Sequence, residues 1–149
     1  MEWCKPAIEG VRMKVLGKII NSWEGEIKGE LLVTQKKISF LGDVDPKTGR
    51  IIDKNSDIYG LSIKNKIFVF RSGRGSTVGA SILFGLAKRN LAPKILICVE
   101  IDPVVLSGAI FGDIPMLAEI NKKALFGLKS GKIGRVKKIS NRQGVLEVD

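Results

Sequence analysis

The residues richest in chemistry stand together at positions 71–81, "RSGRGSTVGAS", where Gly73, Gly75 and Gly79 alternate with Arg71, Arg74 and four hydroxyl residues. Glycine lets a backbone approach a ligand and take φ > 0, hydroxyls donate hydrogen bonds, and arginines clamp phosphate or carboxylate. A turn of this kind, leading from the end of a strand into a helix, leaves N–H groups unpaired and a partial positive charge facing outward. The chemistry it suits is anion recognition. A plainer use is also open, in which Ser76 or Thr77 caps the helix and the arginines are solvated.

Two familiar phosphate motifs do not fit. "GRGSTVG" lacks the lysine of a Walker A loop, and its G-x-G-x-x-x-G spacing is one residue longer than the dinucleotide fingerprint. Glu100 and Asp102 nevertheless close a later apolar run about where a ribose-binding acid would sit, which keeps a nucleotide reading open. Upstream, "GDVDPKTGRIID" has Asp43 and Asp45 at the first two EF-hand spacings, but Gly49 comes one place late and the twelfth position is Lys54 instead of Glu. Turn formation is the expected role of both aspartates.

The elements that must position the glycine loop are clear in the middle of the chain. "KIFVF" reads as a buried strand, "ASILFGLAKRN" has helical spacing at Ile82, Leu83, Leu86 and Ala87, and "KILICVEI" reads as a second buried strand. Together they make a βαβ unit with a right-handed crossover, its helix stopped by Pro93 and its second strand followed by a turn at Asp102-Pro103. The loop from Ser72 to Gly79 then lies at the top of a parallel pair. Before the unit, Met13 to Val33 reads as β-rich, "KISFLG" as strand or turn and "RIID" as strand-like. After it, "VVLSGAIFGDIPML" is broken by Gly108, Gly112 and Pro115 and is expected to be strand or loop packing, and "GRVKKISNRQGVLEVD" is expected to form a hairpin around "NRQG".

Composition bounds the rest. A chain of 149 residues with 44% hydrophobic and 27% charged residues is expected to form one domain. No apolar run approaches the roughly 20 residues that cross a bilayer, and the start has no signal-peptide pattern, so a cytoplasmic protein is expected. Cys4 and Cys98 are far apart, which argues against a disulfide framework. With no histidine, Ser/His and Cys/His nucleophiles are excluded and the commonest zinc ligand is missing. Of the net charge of +10, the segment from Ile120 to Asp149 supplies +6. Clustered lysine and arginine suit a nucleic-acid backbone, but Phe126 is the one aromatic residue in that segment, so a solvated face or a docking surface for an acidic protein is the favoured use.

Three ordered stretches, "SFLGDVDPKTGRIID", "IYGLSIKNKIFVFRSGRGSTVGASIL" and "LAPKILICVEIDPVVLSGAIFGDIPML", resemble the swivel domain of the aconitase X family, found as a separate small chain in archaea. The likeness runs from about Met13 to the C-terminus, leaving residues 1–12 as an N-terminal extension. The resemblance implies an α/β fold, a swivelling β/β/α domain with mixed strands around the βαβ core. It also implies a hydro-lyase split over two chains, which dehydrates (R)-5-phosphomevalonate to trans-anhydromevalonate 5-phosphate in an archaeal mevalonate pathway. A large subunit carries the iron-sulfur cluster that binds the leaving hydroxyl, and the small one closes over the phosphorylated hydroxy acid. In the family the serine of "RGST" accepts the proton, which here makes Ser76 the expected catalytic residue. Ser72, Gly73, Arg74, Gly75 and Thr77 are the expected substrate-binding residues, and this chain is expected to hold no metal, since two dispersed cysteines cannot ligate a cluster. Bacterial relatives make cis-3-hydroxyproline the alternative substrate. Two departures are visible: family members often read "SFWGGVDP" where this chain has "SFLGDVDP", and "HP" where it has Ser56-Asp57.

Overall fold

The computed structural model describes residues 13–149. Seven strands close into a mixed barrel in the order β1-β5-β4-β3-β2-β6-β7. In chain order the elements are β1 (Met13–Asn21), β2 (Ile27–Val33), α1 (Phe40–Asp43), β3 (Ile67–Phe70), α2 (Val78–Lys88), β4 (Ile95–Cys98), α3 (Pro103–Phe111), β5 (Met116–Ala118), α4 (Lys122–Gly127), β6 (Ile133–Lys138) and β7 (Gln143–Val148).

The expected βαβ unit is present. Ile67 to Phe70 pair in parallel register with Ile95 to Cys98, and α2 crosses between them. It extends on both sides, because β2 runs parallel to β3 and β5 parallel to β4. Four parallel strands therefore end at one rim, while β1, β6 and β7 close the wall through antiparallel pairs. The last of these, β6 with β7, is the expected C-terminal hairpin.

Alternation along the strands separates two cores, since successive side chains point to opposite faces. Ile67, Val69, Ile95 and Ile97 face the barrel interior with Leu31, Val136 and Leu146, whereas Phe68, Phe70, Leu96 and Cys98 face outward against α2 and α3. Such strands, buried on both faces, read as unbroken apolar runs. Ala124, Leu125 and Leu128 of the α4 segment join the interior cluster, and the Gln35 side chain, just past β2, donates to the Leu125 carbonyl at 2.9 Å. The α4 segment thus plugs the rim where the parallel strands end, and Trp23, after β1, packs into the same cluster from the opposite end.

Three local expectations are corrected. The segment after Asp102 is a helix, not strand or loop packing: Asp102 caps α3 by accepting from the Val104 and Val105 N–H groups, with Pro103 in the first turn. Gly108, read as a breaker, lies where α3 crosses α2; a Cβ there would come within 2.9 Å of Leu83. "KISFLG" contains the α1 turn, interrupted by non-helical Leu41 and Gly42, and "RIID" contributes only isolated bridges, Val44 to Ile51 and Arg50 to Ser62. The turn before it is as expected, with the Asp45 carbonyl accepting from Thr48 and Gly49 N–H and its carboxylate from Lys47 N–H. Helix α2 ends at Lys88, ahead of Pro93, because Asn90 turns left-handed (φ 59°) and the Leu91 N–H reaches back to the Leu86 carbonyl.

Candidate active site at the end of the parallel strands

The glycine loop leaves β3 at the rim and is laced to the chain leaving β2. Ile38 N–H donates to the Ser72 carbonyl and Arg74 N–H to the Ile38 carbonyl, both at 2.9 Å, and Ile38 pairs in parallel with Gly73. On the other side the Arg71 carbonyl accepts from Val99 and Glu100 N–H, beyond β4. The first half of the loop is therefore framework. Ser72 is buried and donates its hydroxyl to the Glu100 carbonyl at 3.1 Å, and Gly73 lies so close to α3 that a Cβ would come within 2.5 Å of Val105 and 2.8 Å of the Asp102 carboxylate.

The second half projects. Arg74, Gly75, Ser76, Thr77 and Val78 are all exposed. Gly75 has φ +97°, a conformation side chains rarely adopt, and sits directly over the Ser39 hydroxyl. That geometry carries the backbone over α1 and delivers Ser76 to the start of the 11-residue helix α2. The Ser76 oxygen accepts the Val78 N–H at 3.1 Å, while Thr77, at the N-cap position, makes no side-chain capping bond. Helix initiation and presentation of an exposed hydroxyl thus coexist at Ser76.

Arg74 is paired with α1. Its Nη2 meets the Asp43 carboxylate at 3.2 and 3.5 Å, in the wall of a cleft of about 240 Å³ that is also lined by Lys36, Lys37, Asp53 and Ser56. Asp43 goes beyond the turn-forming role expected of it, and Lys36, Lys37 and Ser56 are cleft residues that sequence reasoning missed. The signal was faint: two lysines after an apolar strand look like an ordinary solvated edge. Asp57, in the second departure from the family pattern, accepts from the Thr34 hydroxyl and the Gln35 N–H and so braces the same edge. The four buried polar residues among those described, Thr34, Ser39, Asp43 and Ser72, all belong to this end of the barrel.

The remaining candidates disperse. Arg71 faces Glu100 at 4.0 Å, and Asp102 is committed to capping α3 and is not free to serve as a ribose ligand. Cys98 is buried against the outer core, where loss of solvation pushes its thiol up to about 12, with Asp102, Glu100 and Glu119 adding to the shift. Among the described residues no three His, Cys, Asp or Glu side chains gather so as to hold a metal ion. A buried neutral thiol without companion ligands does not fit an iron-sulfur cluster. No helix of the described residues is long and apolar enough to cross a membrane. Part of the basic excess is paired on the barrel wall, Arg135 with Glu26 and Lys137 with Glu147.

Fold and site together define a small mixed α/β barrel domain whose exposed hydroxyl and a cleft lined by Lys36, Lys37, Arg74, Asp43 and Asp53 lie where the four parallel strands end. The chain belongs to the aconitase X swivel domain family, whose model matches residues 16–148. It is 42% identical over 136 residues to the phosphomevalonate dehydratase small subunit of Pyrococcus abyssi, covering 91% of this chain and 98% of that one. It is 49% identical over 109 residues to the protein of the same name from Methanocaldococcus jannaschii, covering 73% of this chain and 81% of that one. Its structure matches a crystal structure of holo-form aconitase X from Thermococcus kodakaraensis with a TM-score of 0.81 and 43% identity, over 91% of this chain and 98% of that one.

Proposed function

We propose that this chain is the small subunit of a cytoplasmic two-chain hydro-lyase that dehydrates (R)-5-phosphomevalonate to trans-anhydromevalonate 5-phosphate, with Ser76 as the proton acceptor. The iron-sulfur cluster belongs to the large subunit, because this chain's described residues offer no place for one. The observation that carries the reading is the placement of Ser76: exposed, two residues past Arg74, which lines a cleft together with Lys36, Lys37, Asp43 and Asp53. A reactive group left open to water on one protein is completed by a second surface, since a dry, closed site strengthens every electrostatic contact made in it. Val78, two residues past Ser76 and about half exposed, gives such a surface apolar area to cover.

The division of labour follows from the geometry. Dehydration removes a proton from the carbon beside an activating carboxylate and expels hydroxide from the neighbouring carbon. Ser76 takes the proton. A serine oxygen is a weak base unless its anion is stabilised, and here the Val78 N–H and the positive end of α2 face it. The cleft cations hold the substrate's anionic groups, fixing the reacting carbon against Ser76. Gly75 sets the loop's path and Thr77 stands exposed beside Ser76, whereas Ser72 and Gly73, expected as substrate-binding residues, serve as the buried framework that holds the loop.

The test is reconstitution of the chain with its large subunit. The assembled pair is expected to dehydrate (R)-5-phosphomevalonate and neither chain alone to do so. Turnover of cis-3-hydroxyproline in its place, or salt-sensitive RNA binding with no dehydration, would overturn the proposal.

A further inference from the structure

Asp43 uses its carboxylate in a way that turn formation does not require. The turn from Ser39 is already closed on the backbone, with the Asp43 N–H donating to the Ser39 carbonyl at 3.0 Å. The carboxylate then adds a second bond to the same turn, its Oδ2 accepting the Ser39 N–H at 2.8 Å, and with that anchor set it receives Arg74. Its side chain is only 11% exposed against 52% for Arg74. A nearly buried acid on a short stem is gripping a mobile base on a long one, and the rigid partner sets the position.

The neighbouring cation is also held, in its case by a backbone carbonyl. Lys36 donates its ammonium to the Asn55 carbonyl, and its own carbonyl accepts from Arg71 N–H. An arginine offers five N–H donors, and Asp43 engages Nη2, which leaves other donors of the guanidinium unused by Asp43 on a residue that lines the cleft. Fixing it during folding removes the ordering cost from the moment of binding.

We propose that Asp43 is a positioning residue that locks the Arg74 guanidinium into the cleft wall, where Arg74 and Lys37 receive the substrate's phosphate. The assignment rests on the dehydratase reading above for its ligand, but the Asp43–Arg74 lock itself does not. A phosphate monoester is favoured over a lone carboxylate because a planar guanidinium and an ammonium together match its several oxygens and its greater charge.

Kinetics of the reconstituted two-chain enzyme and nuclear magnetic resonance of the full small chain test it together. Asp43→Asn keeps an acceptor for the Ser39 N–H but not the charge that holds Arg74. It is expected to raise KM about tenfold with kcat nearly unchanged, as loss of one charge-assisted hydrogen bond does. Arg74→Ala is expected to raise KM at least as much, and the double variant to be no worse than Arg74→Ala alone. In the free chain, the Arg74 guanidinium protons are expected to exchange and rotate slowly in the wild type and quickly in Asp43→Asn. A wild-type KM in Asp43→Asn beside an impaired Arg74→Ala overturns the inference, as does full additivity in the double variant. Fast Arg74 protons in the wild-type chain overturn the lock whatever the activity. An unchanged KM in Arg74→Ala, with slow protons, instead overturns the assignment of Arg74 to substrate while leaving the lock in place.

Discussion

Gly75→Ala should cost the enzyme far more activity than stability. The backbone there has φ +97°, and a Cβ would stand 2.7 Å from the Ser39 hydroxyl, which itself donates to the Leu41 carbonyl at 2.7 Å. If the loop kept its shape, the substitution would pay about 1–3 kcal/mol for the backbone conformation and about 1 kcal/mol for the displaced Ser39 bond. A loss of about 2–4 kcal/mol corresponds to roughly 4–16 °C in Tm for a chain of this size. The loop is exposed beyond Gly73, however, so it relieves the strain by moving, and the thermal loss should fall at the low end. Movement carries Ser76 with it, and a shift of about 1 Å in a reacting group costs on the order of 100-fold in rate. The assay pairs thermal unfolding of the small chain with kcat of the reconstituted enzyme. Gly25→Ala is the control: its φ is +67° with nothing within 4 Å of a Cβ, so it should lose a little stability and no activity. A Gly75→Ala enzyme that turns over at the wild-type rate would refute the claim that this glycine sets the position of Ser76.

Cys98, with its thiol pushed up to about 12 by burial, should resist a thiol reagent at pH 8 in a Cys4→Ala chain and react at once in denaturant; rapid labelling of the folded chain would contradict its placement in the outer core. Glu147 is held below its ordinary 4.5 chiefly by the hydrogen bond from Lys137. A lowered folded value means that its contribution is complete above 4.5 and is lost as pH falls through the folded value. The Tm gap between wild type and Glu147→Gln should therefore be widest near neutrality and close on acidification, and a gap independent of pH would contradict the pairing.

The parallel core was readable in the sequence because its strands are buried on both faces. "KIFVF" and "KILICVEI" are unbroken apolar runs, and the helix between them shows its buried side at Leu83 and Leu86. Closure into a barrel was not readable. It depends on β2 and β5 lying parallel to that pair and on β1, β6 and β7 returning antiparallel, and no local signal encodes which edges meet. Helix α3 was misread because Gly108 serves close packing against Leu83, whereas by composition it looks like a breaker. In the site, the glycine loop stood out by its residue types, and its division into a buried half and an exposed half did not, since Ser72 and Ser76 are the same residue with opposite surroundings. The cleft was invisible because it joins Lys36 and Lys37, after β2, to Asp43 and Arg74, and only the fold brings those positions together.

Turnover of the assembled two-chain enzyme after Ser76→Ala is the most direct measurement. Ser76 is exposed, its side chain supports α2 through the bond to Val78 N–H, and the carbonyl that accepts the Gly79 N–H is kept by alanine, so folding, assembly and KM should be retained. With the proposed proton acceptor gone, kcat should fall by roughly 10²–10⁴-fold. An assembled Ser76→Ala enzyme dehydrating at the wild-type rate would contradict the role given to this oxygen.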